Sequence, residues 1–467
     1  MTRSEQQFDV VIIGAGPGGY VAALRAAQLK LRTAVIERES LGGVCLNWGC
    51  IPTKALLHSA DTLRRIRHAD SQGIVVGEPC VDFNKMVARS RHVSQRLERG
   101  VTHLLHKAGV TVLMGTARIP QAGHVHVVDA DGGVKTLLAT HTIVATGARA
   151  RELPFLPFDG DRVWGYRDAL AASALPKTLI VVGAGAIGME FASFYATLGT
   201  HVTVVEAEAR VLPASDIEVS QFAQQQMTKD GIQFLTGAKV QHGEIVADGV
   251  TLMVGHASGT QRLHAERVLV AVGLVGNSEN LGLEHTGAVI HQGLMQTGHW
   301  GATEQSGLYA IGDITGAPML AHKASHDGIA CVEHIAGLRN GVQHHSPIPA
   351  CVYSHPQSAS VGLTEEQARA KYPEVRVGKF SLDGNGKALA IDDAVGFIKT
   401  IFDANTGELL GAHLIGPEST ELVHGYTLAA SLEATEEALM ETIFPHPTLS
   451  EAMHEAVLAA YGRALHR

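Results

Sequence analysis

The chain has 467 residues, 45% hydrophobic and 18% charged, with 51 glycines. It is too long for one ordinary domain, about three by length, and its balance is that of a turn-rich globular α/β protein, not a disordered or fibrous one. A net charge of -9 argues against nucleic acid as a main partner. No stretch reaches about 18 consecutive apolar residues, so no membrane span is expected. Met1 to Asp9 carry neither an apolar signal core nor an Arg/Ser-rich transit segment. Five cysteines (45, 50, 80, 331 and 351) are too few for a disulfide scaffold. They point to a reducing, cytoplasmic setting in which any disulfide would be catalytic.

In chain order, the apolar run Val10-Val11-Ile12-Ile13 leads directly into Gly14-Ala15-Gly16-Pro17-Gly18-Gly19. A helical pattern follows, then Thr33-Ala34-Val35-Ile36 ending at Glu37. Next come Cys45 and Cys50, five residues apart with glycines around them. In an ideal helix such residues lie roughly 8.6 Å apart, whereas a disulfide tolerates at most about 7 Å. A pairing therefore requires irregular backbone between them, and the alternative is two unrelated buried cysteines. Pro52 suits the first turn of a following helix, and Cys50 at its N-terminus would have its thiolate stabilised by the dipole.

Thr142-Ile143-Val144-Ala145-Thr146-Gly147 reads as a strand-to-turn ligand contact closing the first region. The first pattern then recurs: Leu179-Ile180-Val181-Val182 enters Gly183-Ala184-Gly185-Ala186-Ile187-Gly188, and Val202-Thr203-Val204-Val205 ends at Glu206. In both copies the first glycine and the glutamate are 23 residues apart. The first glycine makes the tight turn, the second admits a pyrophosphate, and the third allows close helix–strand packing. The helix N-terminus receives the phosphate charge, and Glu37 and Glu206 would accept hydrogen bonds from ribose hydroxyls. Two such sites suggest FAD in one and a nicotinamide cofactor in the other, and order alone does not assign them. Glu206 favours NAD, because a carboxylate repels a 2′-phosphate; nearby Arg210 weakens that preference.

Asp313, after Gly307-Leu308-Tyr309-Ala310-Ile311-Gly312, is either a polyol contact or a helix N-cap. The histidines 322, 326, 334, 344 and 345 lack metal-ligand spacing, so no metal is expected. The segmentation is 1–150 and 151–275 for the two nucleotide units, 276–347 for a return to the first cofactor, and 348–467 for a C-terminal domain opened by Pro347-Ile348-Pro349.

These residues, with Gly42 to Leu57, Met319 to Ala324 and Phe444-Pro445-His446-Pro447-Thr448-Leu449-Ser450-Glu451, resemble the class I flavin disulfide reductase family, most closely its dihydrolipoamide-oxidising branch. The resemblance covers essentially the whole chain. It implies an α/β fold of two Rossmann-like domains, for FAD and NAD, plus a C-terminal α+β dimerisation domain. It implies a redox disulfide between Cys45, the interchange sulfur, and Cys50, which faces the flavin. Gly14, Gly16, Gly19, Glu37, Ala117, Thr146, Gly147 and Asp313, with Met319, Leu320, Ala321 and His322, would line the FAD path. Gly183, Gly185, Gly188, Glu206, Val240 and Gly273 would hold NAD. Lys54 would sit beside the flavin and pair with Glu190, stabilising developing negative charge; without the resemblance the pair reads as an ordinary ion pair. His446 would be the base for thiol–disulfide exchange, oriented by Glu451 and supplied by the other subunit of a homodimer. Glu451 also reads as the N3 residue of a capping box begun by Thr448.

Four positions depart from the commonest family pattern: Trp48 between the cysteines, Phe444, Leu274 and Gln357. Two alternatives stand beside the oxidation of protein-bound dihydrolipoamide with NAD+. One is a related flavin disulfide reductase acting on another substrate; the other is a mainly structural docking subunit of a multienzyme complex. Expected partners are lipoyl domains and the subunit-binding domain of an acyltransferase core, or the H protein of glycine cleavage. The acidic tail (Glu421, Glu433, Glu436, Glu437, Glu441, Glu451 and Glu455 against Arg463 and Arg467) either receives a basic domain or is a solvated face.

Overall fold

The computed structural model describes residues 6–343 and 346–466. Met1 to Glu5, the paired histidines 344 and 345, and Arg467 lie outside the described residues. The chain divides into two compact units, Met1–Ala55, Lys85–Arg151 and Gly273–His344 in one, and Leu56–Asn84, Glu152–Val272 and His345–Arg467 in the other.

In the first unit the strands Thr111–Met114, Thr33–Glu37, Gln6–Ile13 and Val134–Val144 lie side by side and parallel, and Leu308–Ala310 pairs parallel with Val134–Val144. The hairpin of Thr116–Gln121 and His124–Val128 adds an antiparallel extension. Covered parallel strands read as unbroken apolar runs; Val10, Ile12, Val35 and Ile143 accordingly share one buried cluster with Ala22 and Ala26 of the helix Pro17–Gln28. That helix lies close against Ala321–Ile335: a Cβ on Gly328 would come within 2.5 Å of the Gly18 carbonyl oxygen.

In the second unit Gln233–Leu235, His201–Val205, Thr178–Val182, Arg267–Val270 and Val163–Trp164 form a fully parallel sheet. An antiparallel meander, Lys239–Val246, Gly249–His256 and Gly259–Ala265, accompanies it. The C-terminal segment builds an antiparallel sheet in the order Ala350–Val352, Ser358–Gly362, Leu409–Ile415, Phe397–Asp403, Val375–Ser381. Its two central strands are buried at every residue. The helices Ser419–Ser431 and Glu451–Ala460 supply Tyr426, Met453 and Val457 to its core. The expected α/β class with a C-terminal α+β domain holds. Among the described residues no helix is long and apolar enough to cross a membrane, and no cluster of His, Cys, Asp and Glu is arranged to hold a metal ion.

Candidate active site

The two glycine loops are built alike. Gly14 and Gly183 have φ of 101° and 103°, and a Cβ on either would lie 2.4 Å from the carbonyl oxygen of the residue just past a neighbouring strand, Ala145 or Ala271. A Cβ on Gly19 or Gly188 would fall 1.9 Å from the carbonyl of Gly14 or Gly183, so the helix can start this close only with glycine. The second glycines differ: a Cβ on Gly185 would meet nothing within 4 Å, and one on Gly16 only Gly43 Cα at 4.0 Å. Open space in front of a helix N-terminus is what an approaching pyrophosphate needs, so both loops fit a dinucleotide. The acids tie the loops in place. Glu37 Oε2 accepts from Ala15 N (2.9 Å) and Oε1 from Glu39 N (2.9 Å); Glu206 Oε2 accepts from Ala184 N (2.5 Å) and Oε1 from Glu208 N (2.8 Å).

The irregularity between the cysteines is a break between two helices, Gly43–Trp48 and Cys50–Arg67, at Gly49. Gly42 N donates to Ala15 O of the first glycine loop (2.8 Å), so the segment starts against that loop. Cys45 is hydrogen-bonded to Cys50, and this bond, together with burial and the charge on Cys50, pushes the Cys45 thiol far above its ordinary range. Cys50 is the first residue of its helix, the position at which the dipole favours a thiolate. Lys54, one turn further along, weakly opposes the shift at Cys45. Trp48 is accommodated by two partners absent from the sequence reading: its Nε1 donates to Glu39 Oε1 (3.1 Å), and the Arg91 guanidinium lies 4.2 Å over its ring.

Elsewhere in this unit Thr146 Oγ1 donates to Asn277 O (2.8 Å) and Asn277 Nδ2 returns a bond to Thr146 O (2.9 Å), which fixes the turn at Gly147. Ala117 is a core residue of the strand Thr116–Gln121. Asp313 sits inside the 3₁₀ turn Gly312–Thr315 and is not its N-cap. Burial raises its carboxyl pKa, with Lys323 offsetting part of the effect. Met319 and Leu320 precede the helix that begins at Ala321 and His322. Gly273, φ 106°, is the first residue of the third stretch of the first unit.

The second unit holds Gly183, Gly185, Gly188, Glu190, Glu206, Val240, His446 and Glu451. Glu190 Oε1 accepts from Tyr353 N (3.0 Å), and Val240 is buried in the core beside the meander. Arg210 is committed elsewhere: its Nη2 contacts Glu366 Oε2 (3.2 Å) and Pro213 O (3.3 Å). His446 Nδ1 lies 3.0 Å from Glu451 Oε1, and the histidine side chain is 79% exposed. The Thr448 amide bond first, then His446, hold the Glu451 carboxyl below the usual carboxylate range. Half of the anticipated capping box forms. Glu451 accepts from Thr448 N (2.9 Å), but the Thr448 hydroxyl donates to Pro445 O and the helix begins only at Glu451. Phe444 stacks on His454, and Gln357 Oε1 accepts from Thr420 Oγ1 (2.9 Å).

A family model described as pyridine nucleotide-disulphide oxidoreductase matches residues 8–328. The chain belongs to the pyridine nucleotide-disulphide oxidoreductases. The dimerisation-domain model of the same family matches residues 348–457, which supports a homodimer. Among relatives of this oxidoreductase, a dihydrolipoyl dehydrogenase of Rhizobium etli is 49% identical, covering 98% of this chain and 99% of that protein. One of Bacillus subtilis is 43% identical with the same coverage. Among solved structures, LpdA of Mycobacterium tuberculosis matches with a TM-score of 0.90 at 28% identity, covering 97% and 99% of the two chains. The HOCl-induced flavoprotein disulfide reductase RclA of Escherichia coli matches with a TM-score of 0.85 at 26% identity, covering 96% and 99%.

Proposed function

We propose that this oxidoreductase oxidises the dithiol of dihydrolipoamide to its disulfide, with FAD as bound cofactor and NAD+ as final electron acceptor. The observation that carries the reading is the Cys45–Cys50 pair, in hydrogen-bond contact across a helix break on a segment bonded to the first dinucleotide loop. We assign residues 1–150 to FAD binding, 151–275 to NAD binding, 276–347 to a return to FAD, and 348–467 to the dimer interface.

In the oxidised enzyme the two sulfurs are joined. A substrate thiolate attacks Cys45, forming a mixed disulfide and releasing Cys50 as a thiolate at its helix N-terminus. The second substrate thiol then attacks its own partner sulfur, closing the lipoamide disulfide and releasing Cys45. His446 of the partner subunit takes the substrate's proton and later returns it to Cys45, while Glu451 stabilises the imidazolium. The high exposure of His446 on its own chain supports a role in another subunit's site. When bound, the flavin supplies the acceptor for the dithiol's electron pair and the hydride for NAD+. Gly14, Gly16, Gly19 and Glu37 would hold its nucleotide end, Ala117, Thr146 and Gly147 its path, and Asp313 with Met319 to His322 its ribityl and ring end. Lys54 and Glu190 would act as a pair beside it. Gly183, Gly185, Gly188, Glu206, Val240 and Gly273 would hold NAD. The engagement of Arg210 with Glu366 supports NAD over its 2′-phosphorylated form.

For partners, lipoyl domains deliver the dithiol, and the acidic C-terminal segment receives a basic subunit-binding domain. Rising salt should weaken that association, and salt-independence would refute electrostatic docking. The decisive assay is steady-state NADH formation from dihydrolipoamide by FAD-loaded protein; no turnover with FAD bound would overturn the reading.

A further inference from the structure

Lys399 is the one charged residue in the run Phe397-Ile398-Lys399-Thr400-Ile401-Phe402 of the C-terminal sheet, and its side chain is fully buried. Its Nζ lies 3.0 Å from Asp216 Oδ1, 2.8 Å from Glu218 Oε2 and 2.6 Å from Glu365 Oε2. Lys379 adds a second cation at Glu218, and Arg369 one at Glu365. Burial pushes each of the three carboxyls up, yet the hydrogen bonds from Lys399 help bring all three below the usual range. An exposed ion pair contributes little, and a buried one seldom improves on well-packed apolar side chains. What a buried cluster does supply is a fixed geometry, so its value lies in what it holds.

The cluster holds the second glycine loop through a short chain of bonds. Asp216 is the N-cap of the helix Ile217–Lys229, accepting from Glu218 N (3.1 Å). From that helix Ser220 Oγ donates to Val211 O (2.5 Å). The next residue, Leu212, donates its N–H to the carbonyl of Ala184 (2.8 Å), between Gly183 and Gly185. Ala184 N is already bonded to Glu206. Both polar groups of the residue between the two glycines are therefore spoken for, one of them by the segment that Lys399 anchors. The first loop has the same arrangement with a different anchor: Ala15 N goes to Glu37, and Ala15 O receives Gly42 of the redox segment.

We infer that Lys399 is a positioning residue for the nicotinamide-nucleotide loop, fixing it from the dimerisation sheet through Asp216, Ser220 and Leu212. The inference rests on the assignment of the second glycine loop to NAD.

Its test is NADH affinity, measured by fluorescence titration of the FAD-loaded dimer. Lys399→Met keeps the length of the side chain without its charge. Asp216→Asn keeps an N-cap side chain but weakens the tie to Lys399. Each should raise the NADH dissociation constant about two- to thirtyfold, the scale of coupling through packed networks. KM for NAD+ should rise with it, while KM for dihydrolipoamide keeps its wild-type value, a split that general loosening of the fold would not produce. If Lys399→Met does not yield FAD-loaded dimer, Asp216→Asn decides alone. Affinity within about twofold of wild type in the folded variants overturns the inference. Gly185→Val separates this from failure of the underlying assignment. If that variant still binds NADH, the loop is not the nicotinamide site. If it loses binding while the Lys399 and Asp216 variants do not, only the positioning role falls.

Discussion

Gly183 and Gly185 stand two residues apart in one loop, and replacing each by alanine should have opposite consequences. At Gly183, φ is 103° and the new Cβ would lie 2.4 Å from Ala271 O. The left-handed conformation costs about 1–2 kcal/mol and the overpacking about 1–3 kcal/mol, so the variant loses roughly 2–5 kcal/mol with or without ligand. At Gly185, φ is -72° and the Cβ meets nothing. The stabilisation of about 0.4–1 kcal/mol from the unfolded chain's lower entropy is offset by alanine's weaker N-capping, about 0.5–1 kcal/mol, leaving the unliganded protein nearly unchanged. The cost appears only when a pyrophosphate occupies that space. At a concentration one hundred times the dissociation constant, a ligand stabilises by about 2.7 kcal/mol; a hundredfold weaker affinity leaves about 0.4 kcal/mol. Thermal unfolding of the FAD-loaded protein with and without NADH reads both effects. Gly183→Ala should lower the midpoint in both conditions, and Gly185→Ala should cut only the rise caused by NADH, to roughly a seventh. A wild-type rise in Gly185→Ala would refute the assignment of that space to the coenzyme.

Three further predictions concern the thiol chemistry. Cys45→Ser should lose lipoamide activity, retain FAD and show a long-wavelength flavin band from the Cys50 thiolate; the band in Cys50→Ser instead would exchange the two roles. Glu451→Gln should lower kcat about 10²- to 10⁴-fold with KM for NAD+ unchanged. Because the Glu451 carboxyl pKa is depressed, its ionised carboxylate accepts from His446 above its ordinary value and that acceptor is lost as pH falls through the depressed one. The variant should therefore lack that acid-side component in the pH–rate profile, and an unchanged profile would count against the pair. Trp48→Phe keeps a ring for Arg91 and removes the donor to Glu39, a bond of about 0.5–1.5 kcal/mol. FAD release should quicken, and Glu39→Gln added to it should have little further effect; full additivity would deny that the two residues act through one bond.

The nucleotide loops, the cysteines and the His446–Glu451 spacing were legible because each depends on local rules: where a glycine can turn, how far apart two side chains stand. Trp48 was legible only as an oddity, since its partners come from a loop nine residues back and a helix more than forty residues on. Lys399 left a signal, a single charge in an apolar run, but its meaning depends on carboxylates 183, 181 and 34 positions away. The capping-box reading of Thr448 to Glu451 succeeded for the carboxylate and failed for the hydroxyl, which found the Pro445 carbonyl nearer. Sequence spacing identified the partners, while the tertiary path of the chain decided which bonds they made.

The two glycine loops share their bonds but not their surroundings: a Cβ on Gly16 would meet Gly43 Cα at 4.0 Å, and one on Gly185 would meet nothing within 4 Å. The redox segment and the first loop therefore constrain each other's sequence: with φ at 62° and a Cβ that would lie 2.6 Å from Gly16 Cα, Gly43 admits no side chain without moving the first loop.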